Sequence, residues 1–137
     1  MMLTQEQIDD WVDTVSYYNR ETKEKTPTDM VKEFSKVTQQ KGTPYLYAAL
    51  IQEEFDEWRS EYLRNTKEPQ LKELADLVYV VYGYANAVGY NLDEAVKRVH
   101  ENNLGRCIQP DGSIKRREDG KVEKNKEYPK VYLGDLV

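Results

Sequence analysis

Between Leu71 and Val88 the chain sets Leu71, Leu74, Val78, Val81, Ala85 and Val88 three and four residues apart, with a second stripe of Leu77, Val80, Tyr84 and Ala87 beside the first. Side chains at those intervals share a helix face. Two adjacent stripes leave little of the surface polar, which predicts a long helix in the middle of a helical assembly. Gly89 is placed to stop it, because glycine takes the left-handed conformation that ends many helices. An all-α fold follows, an antiparallel bundle of about five helices.

Four further helices are expected around this one. Thr4 and Gln7 make a capping-box signature ahead of Ile8, Trp11, Val12 and Val15, so a first helix should run to about Tyr18, with a loop over residues 19–25. Thr26-Pro27 reads as a cap followed by proline at the first helical position, opening a second helix with the stripe Met30, Val31, Phe34 and Val37. Gly42-Thr43-Pro44 opens a third, striped by Tyr47, Leu50, Ile51, Glu54 and Trp58 and ending near Arg64. The central fourth helix follows the Asn65–Pro69 turn. Asn91 and Glu94 start a fifth, carrying Leu92, Ala95, Val96, Val99 and Asn103. From Gly105 periodicity is lost, and Asp111-Gly112 and Asp119-Gly120 are turn dipeptides, so residues 105–137 are expected to form a basic, irregular tail. Within it, residues 114–117 and 121–124 are candidates for a short hairpin.

At 137 residues the chain is read as one domain, with a helical core over about 4–104. Met1 to Glu6 lacks the basic flank and apolar run of a secretion signal, and the longest apolar stretch, residues 77–90, is too short to span a bilayer. The one cysteine, Cys107, forms no intrachain disulfide and no cysteine-based zinc cage, which suits the cytoplasm. A net charge of −5 argues against a general nucleic-acid binder. Acidic residues dominate up to Asp76, whereas Arg106, Lys115, Arg116, Arg117, Lys121, Lys124, Lys126 and Lys130 gather in the last third.

The chemistry is expected where carboxylates fall on apolar positions. Glu54 lies four residues after Leu50 and three after Ile51, in line with the stripe that faces inward. Glu54 and Glu57 share one helix face, Glu73 and Asp76 another. A short turn between the two helices makes them antiparallel, so the pairs can face each other. Two like charges about 5 Å apart repel by roughly 3 kcal/mol at an effective dielectric of ~20. Without a cation some of these groups would protonate. A hard divalent ion, Mg²⁺ or Mn²⁺, relieves the repulsion and prefers oxygen ligands. A ferritin-like di-iron site would need two Glu-x-x-His pairs, and His100 is the sole histidine. The alternative is a solvated acidic face with local ion pairs to Arg59, Arg64 or Lys72.

Glu53-Glu54-Phe55-Asp56-Glu57, a fifteen-residue spacer, then Glu73-Leu74-Ala75-Asp76 resembles the E-E-x-x-E, spacer, E-x-x-D signature of the MazG-like all-α nucleoside triphosphate pyrophosphohydrolases. The segment from His100 to Arg106, and Arg117-Glu118-Asp119-Gly120-Lys121-Val122 with Lys124, are similar to the corresponding parts of short MazG-like proteins, including phage-encoded ones. The resemblance implies that Glu54, Glu57, Glu73 and Asp76 hold Mg²⁺, that Glu53 orients or deprotonates the attacking water, and that nucleoside triphosphates are cleaved to monophosphate and pyrophosphate. It also implies a homo-oligomer, dimer or tetramer, as does the apolar area of the two central helices.

Substrate contacts are expected from Asn103, whose amide can donate to and accept from a base edge or sugar hydroxyl, and from Arg106, Arg117, Lys121 and Lys124, whose charges suit a triphosphate. The three tail cations are expected to order only with substrate. Phe34 is a candidate for stacking on a base, as is Trp58. The rival readings are phosphoribosyl-ATP hydrolysis and a non-catalytic helical adaptor that binds an acidic partner through its tail.

Overall fold

The computed structural model describes residues 2–10, 24–40 and 42–137. It is all-α: α1 (residues 5–10), α2 (Pro27–Thr38), α3 (Pro44–Leu63), α4 (Glu68–Val88) and α5 (Leu92–Arg106), followed by a tail that ends in a 3₁₀ turn, Gly134–Leu136. Among the described residues there is no strand, only an isolated antiparallel bridge between Arg116 and Val122. The expected continuation of α1 through Trp11, Val12 and Val15, and the loop that follows as far as residue 23, lie outside the described residues.

The helices begin where local chemistry starts them. Thr4 and Gln7 bond reciprocally, each side chain accepting from the other's backbone N–H at 3.2 and 2.9 Å. Thr26 and Asp29 do the same ahead of α2. Thr43 Oγ1 accepts from the Leu46 N–H at the start of α3, and Asn91 Oδ1 from the Glu94 N–H at the start of α5. Each cap satisfies a backbone donor that the helix leaves unpaired. Gly89 closes α4 at φ 80. α4 starts slightly earlier than the turn residues suggest, because Pro69 fits the first turn of a helix, where its missing N–H has no partner to lose.

α3 and α4 pack antiparallel along their length, and α2 lies on α4. Val31, Tyr47 and Ala85 are the buried apolar side chains among the described residues. Tyr47 sets the contact between α3 and α4. Its ring fills the space beside two glycines, so a Cβ added at Gly83 would stand 2.2 Å from the ring and one at Gly42 1.9 Å from it. Asn86 Nδ2 donates to the Thr28 carbonyl at 3.4 Å and ties α4 to α2.

Two expected stripes are corrected. On α2 Val31 is buried, but Met30, Phe34 and Val37 are exposed. On α5, Val96 and Val99 are exposed, and so is Asn103, which was expected to face inward. Among the described residues α5 packs chiefly on the 3₁₀ turn of its own tail.

Candidate active site

Glu54 follows the packed face of α3, as Leu50 and Ile51 do, and all three are half-buried. Antiparallel packing sets this part of α3 beside the first half of α4. Carboxylate oxygens of Glu54, Glu57 and Glu73 come within 4.8 Å of one another. Oε2 of Glu54 and Oε2 of Glu73 are buried and have no hydrogen-bond partner. Burial pushes the Glu54 carboxyl up to about 7, helped by its hydrogen bond to Glu57 and by the charges of Glu57, Asp76 and Glu73. Glu73 is raised by burial and by its hydrogen bond to Glu57, with Lys72 opposing the rise. Glu54 and Glu73 are both harder to ionise than ordinary carboxyl groups.

The fourth expected ligand, Asp76, stands outside that group of three. Its Oδ2 lies 2.6 Å from Lys72 Nζ, which also approaches Glu73 at 3.6 Å. The local ion pair that competed with metal binding in the sequence reading is therefore formed at this carboxylate. Arg64 pairs with Glu61 at 3.4 Å. Glu53 is exposed on α3, outside the three-carboxylate group.

The donor set suits a hard divalent cation: every offered atom is a carboxylate oxygen, and two buried ones lack a partner that such an ion would supply. Protons and metal compete for these oxygens, which gives a testable pH dependence. In the unfolded chain Glu54 releases its proton near 4.5, and in the folded chain near 7. Between these values the folded state holds the extra proton, so stability falls as pH rises. The melting temperature in EDTA should decline across this window, Glu54→Gln should flatten the decline, and Mg²⁺ should stabilise more at pH 8 than at pH 5. A Glu54→Gln variant with the parental slope would remove Glu54 from this role.

The aromatic candidates lie apart from one another. Phe34 meets Tyr79 edge to face at 5.9 Å on the α2–α4 side, where Met30, Leu71, Leu74 and Val78 line an apolar cavity of about 370 Å³. Trp58 stacks on Tyr62 at 5.7 Å along α3.

The tail brings together the four cations singled out in the sequence. Arg106, Arg117, Lys121 and Lys124 line one cavity of about 710 Å³, joined by Lys115 and Lys126, with Glu123 and Glu127 the acidic residues in its wall. The expected hairpin shapes it: the Arg117 N–H donates to the Lys121 carbonyl at 2.8 Å and the Glu123 N–H to the Lys115 carbonyl at 2.8 Å. Gly120, at φ 86, makes the turn. Arg117 is held by Asp119 at 2.6 Å, which keeps the Asp119 carboxyl below its ordinary range. Nε of Arg106 is buried without a hydrogen-bond partner.

The tail is fastened to α5 at several points. Arg98 grips both carboxylate oxygens of Asp135 at 2.6 and 2.9 Å, Asn102 donates to the Pro129 carbonyl, and the Asn125 N–H donates to the Arg106 carbonyl. These pairings span 19 to 37 residues of sequence, which local patterns do not reveal. No residue of the carboxylate cluster lines the tail cavity, and no tail cation is among the leading charges felt by Glu54 or Glu73.

An all-α chain that sets Glu54 and Glu57 of one helix against Glu73 of the next fits the pyrophosphohydrolase superfamily that the sequence resembles, and comparison with known families narrows it. The family model described as phosphoribosyl-ATP pyrophosphohydrolase matches residues 15–103, and the chain belongs to that family. The family lies in the MazG-like all-α nucleoside triphosphate pyrophosphohydrolase superfamily and consists of nucleotide pyrophosphohydrolases. The matched span includes all four acidic positions and Asn103 and stops short of Arg106 and the tail. No curated protein matches the chain. No helix among the described residues is long and apolar enough to cross a membrane.

Proposed function

We propose that the chain hydrolyses canonical-base or modified (deoxy)nucleoside triphosphates to monophosphate and pyrophosphate, with Mg²⁺ or Mn²⁺ held by Glu54, Glu57, Glu73 and Asp76. The observation that carries this is the pair of buried, partnerless oxygens of Glu54 and Glu73 inside a three-carboxylate group. When bound, the metal supplies positive charge to the phosphoanhydride oxygens as they gain negative charge. Glu54, Glu57 and Glu73 hold it from the α3–α4 seam, and Asp76 joins them by leaving Lys72. Glu53, on the solvent side of α3, takes the proton of the attacking water. Asn103 and Phe34 are candidates for the nucleoside, and Arg106, Arg117, Lys121 and Lys124 for the phosphates.

The working protein is proposed to be a cytoplasmic homo-oligomer. Exposed Leu71, Leu74 and Val78 on α4, and Val96 and Val99 on α5, are apolar surface of the kind that association with another copy would bury.

Phosphoribosyl-ATP is the second reading, favoured by the matched family's description. One assay separates the two: pyrophosphate release measured over a panel of ribo- and deoxynucleoside triphosphates together with phosphoribosyl-ATP, each with and without Mg²⁺. A kcat/KM at least tenfold higher for a triphosphate supports the first reading, and the reverse order supports the second. The family match also supports an enzyme over the helical adaptor, which predicts no release from any compound and no stabilisation by metal.

A further inference from the structure

Among the described residues, Lys72 is the one cation paired with carboxylates of the α3–α4 seam. It stands beside Glu73 on α4, its Nζ 2.6 Å from Asp76 Oδ2 and 3.6 Å from Glu73 Oε1. Arg64, just past the end of α3, is turned to Glu61 instead. The Lys72–Asp76 pair runs in the weaker of the two orientations, since a helix favours the acidic residue four positions before the basic one. The Lys72 side chain is 66% exposed, and an exposed pair of this kind contributes little to stability. Lys72 is held there by the combined charge of Asp76 and Glu73, and such a contact is easily exchanged. Its flexible stem carries a compact charge that can change partners while the helix stays in place.

We infer that Lys72 is a substrate-contacting residue with two successive partners: Asp76 before the divalent ion is held, and an oxygen of the nucleotide's polyphosphate once Asp76 has turned to that ion. This deepens the proposed function and rests on it. Like charge turns the ammonium away from the ion that Asp76 then binds. Lys72 nevertheless stays at the rim of the seam, because its backbone adjoins Glu73. The polyphosphate brings new negative oxygens to that rim, and an ammonium meets them as a point charge in charge-assisted hydrogen bonds. The role needs no residue of the tail or of another copy, because Lys72 lies on the helix that carries Glu73 and Asp76. It also links the two bindings: Lys72 opposes the ion when no nucleotide is present and favours the nucleotide when the ion is present, so each strengthens the other.

Lys72→Met tests this by keeping an apolar stem and removing the charge, at an exposed position where the fold should be unaffected. Two affinities should move in opposite directions. Calorimetric titration of the nucleotide-free protein with Mn²⁺ should show binding about threefold tighter, or more, than in the parent. At saturating Mn²⁺, KM for the best-cleaved compound of the triphosphate and phosphoribosyl-ATP panel should rise about fivefold or more, with kcat nearly unchanged. Lys67→Met is the control for net charge, since Lys67 is exposed at the start of α4 and its side chain makes no cap hydrogen bond. It should move neither quantity by as much as about twofold. Equal shifts in the two variants mean that only the surrounding field matters, which overturns the inference. A Lys72→Met protein with the parental KM overturns it too, even if Mn²⁺ binds more tightly, because Lys72 is then a counter-ion alone. Weaker binding of both Mn²⁺ and substrate makes Lys72 structural and has the same result. Each of these leaves the carboxylate reading intact, whereas absence of Mn²⁺ binding in parent and variant alike removes that reading and the inference together.

Discussion

Glu54→Gln is expected to lower kcat/KM for the best substrate by more than ~100-fold, equivalent to about 2.7 kcal/mol of transition-state stabilisation. The substitution keeps the shape of the side chain and removes its charge. Since Glu54 sits on the packed face of α3, where burial and neighbouring carboxylates oppose its charge, losing that charge should not harm the fold. Thermal stability without metal should stay equal or rise as repulsion is relieved. The stabilisation given by Mg²⁺ should shrink. Three readouts thus move in different directions, which a general packing defect would not produce. Full activity, or a clear loss of metal-free stability, would show that the cluster serves structural ion pairing. Asp76→Asn makes a graded comparison: it also frees Lys72, so its metal-free stability should fall slightly, in line with the small worth of an exposed i, i+4 pair.

The largest effect on stability should come from Tyr47→Ala. Emptying a buried aromatic site costs about 3–5 kcal/mol, and here the ring is the contact that keys α3 to α4. For a domain of this size the melting temperature should drop by more than about 10 °C. Gly83→Ala tests the same contact from the other side. Alanine would gain up to about 1 kcal/mol in helix propensity, but its Cβ would stand 2.2 Å from the Tyr47 ring. Overpacking of this kind costs about 1–3 kcal/mol, and the buried ring has little room to yield, so the net effect should be destabilising. Because the same two helices carry the carboxylates, surviving Gly83→Ala protein should bind Mg²⁺ more weakly. A melting temperature equal to or above the parent's would show that the ring can move aside, and would remove Tyr47 from the role of setting helix register.

The sequence exposes those features that depend on near neighbours. Thr26, Thr43 and Asn91 could be read as caps because the hydrogen bond each makes spans three residues. The inward phase of Glu54 was visible against Leu50 and Ile51, and the facing of α3 and α4 followed from the short turn between them. The hairpin pairing of 114–117 with 121–124 was signalled by Asp119-Gly120. What escaped was set by contacts between distant residues. Nothing near Tyr47 announces that Gly83 makes room for its ring, and nothing near Arg98 announces Asp135. The apolar spacing of α5 marks a helix, but spacing alone does not say what lies against the stripe. Asp76 illustrates a competition that a motif leaves out: Lys72, one turn earlier, already holds the carboxylate.

The attachment of the tail to α5 has a mechanical consequence. The Asn91 N–H donates to the Leu136 carbonyl at 3.0 Å, so the polypeptide returns at the 3₁₀ turn to the place where α5 began. Arg98 and Asn102 fasten it at two further points along the helix. Helix and tail therefore form a closed frame whose rungs are polar contacts, joined to α4 at the Gly89 corner. Rotation about that corner would swing the frame as a lever, carrying the basic cavity as one piece. Small dihedral changes near the pivot become displacements of many ångströms at Arg106, roughly 20 Å along the helix, while the spacing between the cations stays fixed.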